Sequence, residues 1–288
     1  MKLLFYLLIK PLSLLPFFIL YRLSDILYFL IYYLIGYRKK VVATNLKNSF
    51  PEKSEAELKK IAQQFYQHFC DYIVECLHLV SISASEFKRR VKIKNPELLQ
   101  KYYEENRKIA IICGHHGNWE YAVVGAAFLI DYLGVAIYKP LSNAFFEKVV
   151  KDYRSRFGLK LIKKGNFRTE IKDYAKERVA LFFIADQCPS GRQKAHWMNF
   201  LNQETAVMMG AEVYSKRYDY VAVAMNTTKV KRGYYELSFE IVEDQATQSS
   251  SGFITEQSTQ ILERAIQETP AYWLWTHRRW KRKRTTKE

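Results

Sequence analysis

The chain has 288 residues, 49% of them hydrophobic and 15% aromatic, which suits one large α/β domain with an appendage or two small domains. Lysine and arginine number 45 against 29 acidic residues, a net charge of +16 that calls for an anionic partner: nucleic acid, anionic lipid, a phosphorylated substrate or an acidic carrier protein. Cys70, Cys76, Cys113 and Cys188 form no CxxC pair and no Cys/His cluster of zinc-finger spacing, which argues against a structural metal and fits buried thiols in a reducing compartment.

Residues 1–36 are the least polar stretch. They lack a small-residue cleavage site and stay apolar past position 30, so a cleaved secretory signal is rejected. From Leu12 to Ile35 the run is long enough to cross a bilayer, interrupted only by Arg22 and Asp25, which share a helix face. Pro11 and Pro16 predict a break near its start. Two arrangements fit: a spanning helix, or a bent helical pair lying in one leaflet. Tyr37-Arg38-Lys39-Lys40 follows, against only Lys2 and Lys10 before it. The positive-inside rule then puts the rest of the chain on the cytoplasmic side.

Residues 37–88 are expected to be helical, with Ser54 opening a helix over residues 55–80 that carries His68 and His78. From residue 89 the pattern becomes α/β. Strands are predicted at 91–95, 108–114, 135–140, 159–164, 179–187, 220–226 and 234–242. Helices are predicted at 119–134 (ending at Gly134), 145–158, 169–177, 205–219 and 253–268, with a loop from 187 to about 204. Strands alternating with single helices indicate a mostly parallel central sheet flanked by helices. The run Arg278-Arg279-Trp280-Lys281-Arg282-Lys283-Arg284 is read as a contact for anionic headgroups rather than nucleic acid, since no nucleic-acid motif accompanies it.

Chemistry concentrates in Cys113-Gly-His-His-Gly-Asn-Trp-Glu120, where a strand ends and a helix begins, the usual place for a ligand site in an open α/β sheet. Gly114 and Gly117 relax the backbone, and Asn118 can cap a helix starting at Trp119. If the helix included both histidines, His116 would face Glu120. Because Gly117-Asn118 start it later, His115 is the histidine expected to fold over the helix start and meet Glu120. A His/acid dyad with no nucleophile of its own suits activation of a substrate hydroxyl. A metal held by His115, His116 and Glu120 lacks further ligands nearby, and Cys113 ends an apolar strand, which disfavours it as a nucleophile.

This His-x4-Glu string resembles the motif of the lysophospholipid acyltransferase superfamily, and most closely the lipid A biosynthesis (late) acyltransferase family. The segments YRKKVVATNLKNSFPE (37–52), IYKPLSNAFFEKVVKDYRSRFG (137–158), FIADQ (183–187) and PAYWLWTHRRWK (270–281) support the resemblance along almost the whole chain. It implies His115 as general base with Glu120 as its orienting partner. Gly117, Asn118, Lys139, Asn143, Arg154, Arg156 and Asp186 are implied around the substrate, the cations among them for phosphate. Lys139 stands where the family often has Arg and lacks the bidentate fork. The resemblance also implies an acyl donor, usually on acyl carrier protein, a phosphorylated glucosamine lipid acceptor, no cofactor, and the cytoplasmic face of a bacterial inner membrane. Relatives acylating an aminolipid, glycolipid or lysophospholipid, and a non-catalytic membrane-surface protein, are the alternatives.

Overall fold

The computed structural model describes residues 3, 5–190 and 195–284; Lys2 of the charge comparison lies outside them. A seven-stranded sheet organises the chain. Its strands are β1 (Val91–Ile93), β2 (Ile109–Cys113), β3 (Leu133–Tyr138), β4 (Lys160–Lys163), β5 (Val179–Ile184), β8 (Val221–Lys231) and β9 (Tyr234–Glu243), in the order β1-β9-β8-β2-β5-β3-β4. All pairs are parallel except β8–β9, so β2, β3, β4, β5 and β8 point the same way and end along one edge. The central strands are apolar throughout; Ile109, Ala110, Ile111, Leu181 and Val221 are wholly buried, as a sheet covered on both faces requires.

The helices are α1 (Phe17–Phe29), α2 (Lys39–Ser49), α3 (Glu55–Leu79), α4 (Ala84–Arg90), α5 (Pro96–Glu104), α6 (Trp119–Leu129), α7 (Ala144–Ser155), α8 (Gly210–Tyr218) and α9 (Phe253–Glu268). α3 begins where expected, with Ser54 and Glu57 forming a reciprocal capping box. The break predicted by the prolines is present: a short helix at Lys10–Ser13 turns into α1 through extended Pro16. Wider turns carry α1 on to Ile35, and Gly36 closes it in the left-handed region (φ 66°).

Four expectations are corrected. Gly134 does not end α6, which stops at Leu129; it sits in β3 because a Cβ there would lie 2.5 Å from the Ala127 methyl, so the helix could not pack down on the strand. The expected loop up to 204 contains β6 (Ala195–Phe200), which pairs with β7 (Gln203–Met208) as an antiparallel hairpin. The helix expected from 205 therefore starts at Gly210, the first residues of that segment being taken by cross-strand pairing. Nor is the C-terminal basic run a free tail. Arg279 is buried, Trp280 Nε1 donates to Thr205 Oγ1 at 2.7 Å, and Trp273 and Trp275 lie in a core with Phe65, Tyr66 and Phe200.

Candidate active site

The turn after β2 is built by residues that forbid alternatives. A Cβ at Gly114 would meet the Leu262 side chain at 2.6 Å. Gly117 has φ +64°, and a Cβ there would meet Thr227 Cγ2 at 2.8 Å. Asn118 caps α6, its Oδ1 accepting from Tyr121 N at 3.0 Å. The helix thus starts at Trp119, beyond both histidines.

The expected contact between His115 and Glu120 is not formed. His115 Nδ1 lies 2.6 Å from Asp186 Oδ1, and the His115 amide donates to Asp186 Oδ2 at 2.8 Å. The register explains this: Cys113 pairs with Ile184, so the residues two beyond each strand end leave the sheet side by side. Trp273 Nε1 donates to Asp186 Oδ2 at 2.8 Å, and Gln187 Nε2 lies 3.2 Å from His115 Nε2. Burial pushes the Asp186 carboxyl up, but His115 and these N–H donors outweigh it and hold the group below the usual carboxylate range. Asp186 is therefore ionised and can only accept, so Nδ1 carries the proton and Nε2 the lone pair.

Glu120 points elsewhere. Arg154 grips it in a bidentate pair, with Nε at 2.9 Å from Oε2 and Nη2 on Oε1, and Tyr153 adds a hydroxyl at 3.3 Å. Burial presses the Arg154 guanidinium down, and the charge of Glu120 more than reverses it. Arg154 is thus the partner of Glu120, with its side chain 27% exposed. The other predicted residues separate. Asn143 spends its side-chain oxygen on the amides of Phe145 and Phe146, capping α7, and Arg156 donates to the Val80 carbonyl. Lys139 is exposed just beyond β3, on the edge that carries His115 and Asp186.

Behind the turn lies a buried network that the sequence reading missed. Glu75 of α3 accepts from Asn118 Nδ2 (2.7 Å), Tyr235 OH (2.7 Å) and Tyr21 OH (3.0 Å), so one carboxylate joins α1, β9 and the α6 cap. His68 Nε2 lies 3.1 Å from the Gly117 carbonyl, and burial lowers His68 to about 3. His116 is buried against Thr269 and pairs with Trp273 in an isolated antiparallel bridge, which fixes it in the scaffold. His277 accepts from Cys188 N at 3.1 Å, and burial lowers it to about 4. His68, His116 and Asn118 had cues in the predicted helix and the motif, and Trp273 and His277 in the segment 270–281; the network carboxylate Glu75 had none.

The fold and the motif segments together point to one group of enzymes. Residues 2–282 match the family described as bacterial lipid A biosynthesis acyltransferase. The chain belongs to that family. It is accordingly an acyltransferase, as the resemblance implied. The lipid A biosynthesis palmitoleoyltransferase of Escherichia coli (strain K12) is 24% identical over 251 residues, covering 85% of this chain and 79% of the relative. The lipid A biosynthesis acyltransferase of Shigella flexneri gives the same 24% identity over 251 residues. Membership in this family supports a place for this acyltransferase in lipid A biosynthesis.

Proposed function

We propose that the enzyme moves a fatty acyl chain from a thioester, carried by acyl carrier protein, directly to a hydroxyl of a phosphorylated lipid A precursor at the cytoplasmic face of the inner membrane. The observation that carries the reading is the 2.6 Å contact between His115 Nδ1 and Asp186 Oδ1 at the edge where the parallel strands end. It leaves Nε2 as a free base once the acceptor hydroxyl displaces the Gln187 amide.

In this mechanism Nε2 removes the hydroxyl proton as the oxygen attacks the thioester carbonyl. Asp186 stabilises the imidazolium that forms. Amides in the first turn of α6 face the developing oxyanion, a role helix N-termini suit. Collapse breaks the C–S bond, and the imidazolium returns its proton to the thiolate. The products are the ester and the free carrier thiol, with no covalent acyl-enzyme and no cofactor.

Glu120 acts here by holding Arg154, whose charge, with Lys139, attracts acceptor or carrier phosphate. Gly117 and Asn118 shape the turn. The net charge of +16 matches two anionic substrates. Purified protein incubated with labelled acyl carrier protein and lipid A precursor tests the reading: transfer to the precursor is expected. Transfer only to an aminolipid, glycolipid or lysophospholipid would move the enzyme to another acceptor. No transfer to any acceptor would favour a binding protein.

A further inference from the structure

The stretch Phe17–Ile35 is long and apolar enough to cross a membrane. Its placement on the rest of the chain is the informative feature. α1 lies along α3 and is tied to it by polar groups at successive turns. Tyr21 OH donates to Glu75 at 3.0 Å, Ser24 Oγ donates to Asp71 at 2.8 Å, and Arg232 bridges Asp25 and Asp71 at 2.6 Å each. The Arg90 guanidinium sits 3.3 Å from the Phe17 ring centroid. These ties fall in the first half of the stretch, up to its middle. If that stretch crossed the bilayer, Asp71, Glu75, Arg232 and Lys229, which donates to Asp71 at 3.2 Å, would follow it into hydrocarbon, where charged side chains are strongly disfavoured.

The side of the stretch turned away from α3 is bare and largely apolar, broken by exposed Arg22: Phe18 is 72% exposed, Leu34 66% and Ile35 70%, with Ile26, Phe29 and Tyr33 also exposed. Upstream residues double back over the same body. The Ser13 carbonyl accepts from His78 and Ser81 of the α3 end, and Phe5 packs edge-on against Phe145 in the first turn of α7. Phe145 follows β3, on the edge where His115 and Asp186 sit. Lys10, Arg22, Arg38, Lys39 and Lys40 are exposed along the same segment, complementary to anionic headgroups.

We infer that residues 5–35 form an in-plane seat in a single leaflet, fixed to the α/β body, and do not cross the bilayer. This inference rests on the proposed membrane association and sharpens it: the partner is one leaflet containing anionic phospholipid. The seat runs from α3 to the edge that holds His115, so a lipid acceptor reaches that edge from the leaflet in which the enzyme lies.

The test uses the full chain with a different epitope at each end, expressed in a bacterial host and exposed to protease in spheroplasts and in inverted inner-membrane vesicles. Both epitopes should survive in spheroplasts and be lost together in inverted vesicles. Loss of the N-terminal epitope alone in spheroplasts would overturn the seat while leaving membrane association intact. Recovery of the protein in the soluble fraction would overturn membrane association itself. As a second measurement, nitroxide labels at Phe18→Cys, Ile26→Cys and Tyr33→Cys in phosphatidylglycerol-containing vesicles should report one common depth. On a crossing helix, positions 18 and 33 would differ by about 22 Å at about 1.5 Å per residue, and such a gradient would contradict the inference.

Discussion

His115 and Asp186 are 71 positions apart in sequence and 2.6 Å apart in space, while Glu120, five residues from His115, is taken by Arg154. The carboxylate that meets His115 therefore comes from the end of the neighbouring strand. Asp186→Asn should lower kcat by roughly 10⁴-fold, as when a base loses its orienting carboxylate and adopts the wrong tautomer. KM for the acceptor should change little. Steady-state transfer assays check this, and an equal rise in KM with kcat unchanged would move Asp186 to a binding role.

Glu120 and Arg154 form a half-buried bidentate pair, so removing one partner strands the other. Glu120→Gln and Arg154→Met should each reduce kcat/KM, and the double variant should lose much less than the sum. A double-mutant cycle should give a coupling of about 1–3 kcal/mol, in the range for groups in direct contact. Additive losses would mean that the two act separately.

Glu75 accepts hydrogen bonds from three elements in a site with no solvent exposure. Glu75→Ala would leave three buried donors without an acceptor and should cost about 3 kcal/mol or more, each orphaned group contributing about 1–3 kcal/mol. The melting temperature reports it. Burial raises the Glu75 carboxyl, so Glu75→Gln should be the milder change.

Much of this was readable in the sequence, and the failures have physical reasons. The apolar runs Ile109–Cys113 and Val179–Ile184 mark strands because both sheet faces are covered, and Gly117-Asn118 mark the helix start because of the left-handed backbone and the cap. Plain helical spacing favours His116 opposite Glu120, and the Gly117-Asn118 turn shifts the reading to His115. That reading pairs His115 with Glu120, because local spacing ranks acids by sequence distance, whereas strand register brings Asp186 closer. Gly134 looked like a helix stop because a close-packing glycine and a capping glycine are the same letter. Trp273, Glu75 and Arg279 act through long-range contacts that no window around the motif contains.

His68 is buried, and its environment lowers it from 6.5 to about 3. The folded state keeps it neutral while the unfolded chain binds a proton below about pH 6.5, so stability is full above that pH and falls as the pH drops through it. At pH 5 this group alone should remove on the order of 2 kcal/mol relative to pH 7.5. His277, lowered to about 4, acts in the same direction, and Asp186 adds its own loss at lower pH because its carboxyl is depressed in the fold. Urea denaturation at pH 5 and 7.5 measures the difference; His68→Gln should flatten it.

Arg279 is 2% exposed, and among the described residues its Nε and Nη1 have no hydrogen-bond partner. It shares a cavity of about 20 Å³ with Asp186, and burial presses its guanidinium down to about 10. Arg279→Met replaces a buried guanidinium, two of whose nitrogens lack a hydrogen-bond partner, with an apolar chain of similar length and should raise stability by roughly 1–3 kcal/mol. It should also slow transfer, because Asp186 loses a neighbouring positive charge. A rise in melting temperature together with a fall in kcat is the expected result.

In the proposed reaction His115, held by Asp186, is the base for acyl transfer to a lipid A precursor. The most direct measurement is single-turnover transfer from labelled acyl carrier protein to that precursor by the purified wild type, His115→Ala and Asp186→Asn proteins, each checked by its melting curve. Transfer should be measurable for the wild type, absent for folded His115→Ala, and about 10⁴-fold slowed for Asp186→Asn. Near-wild-type turnover by folded His115→Ala would contradict the account.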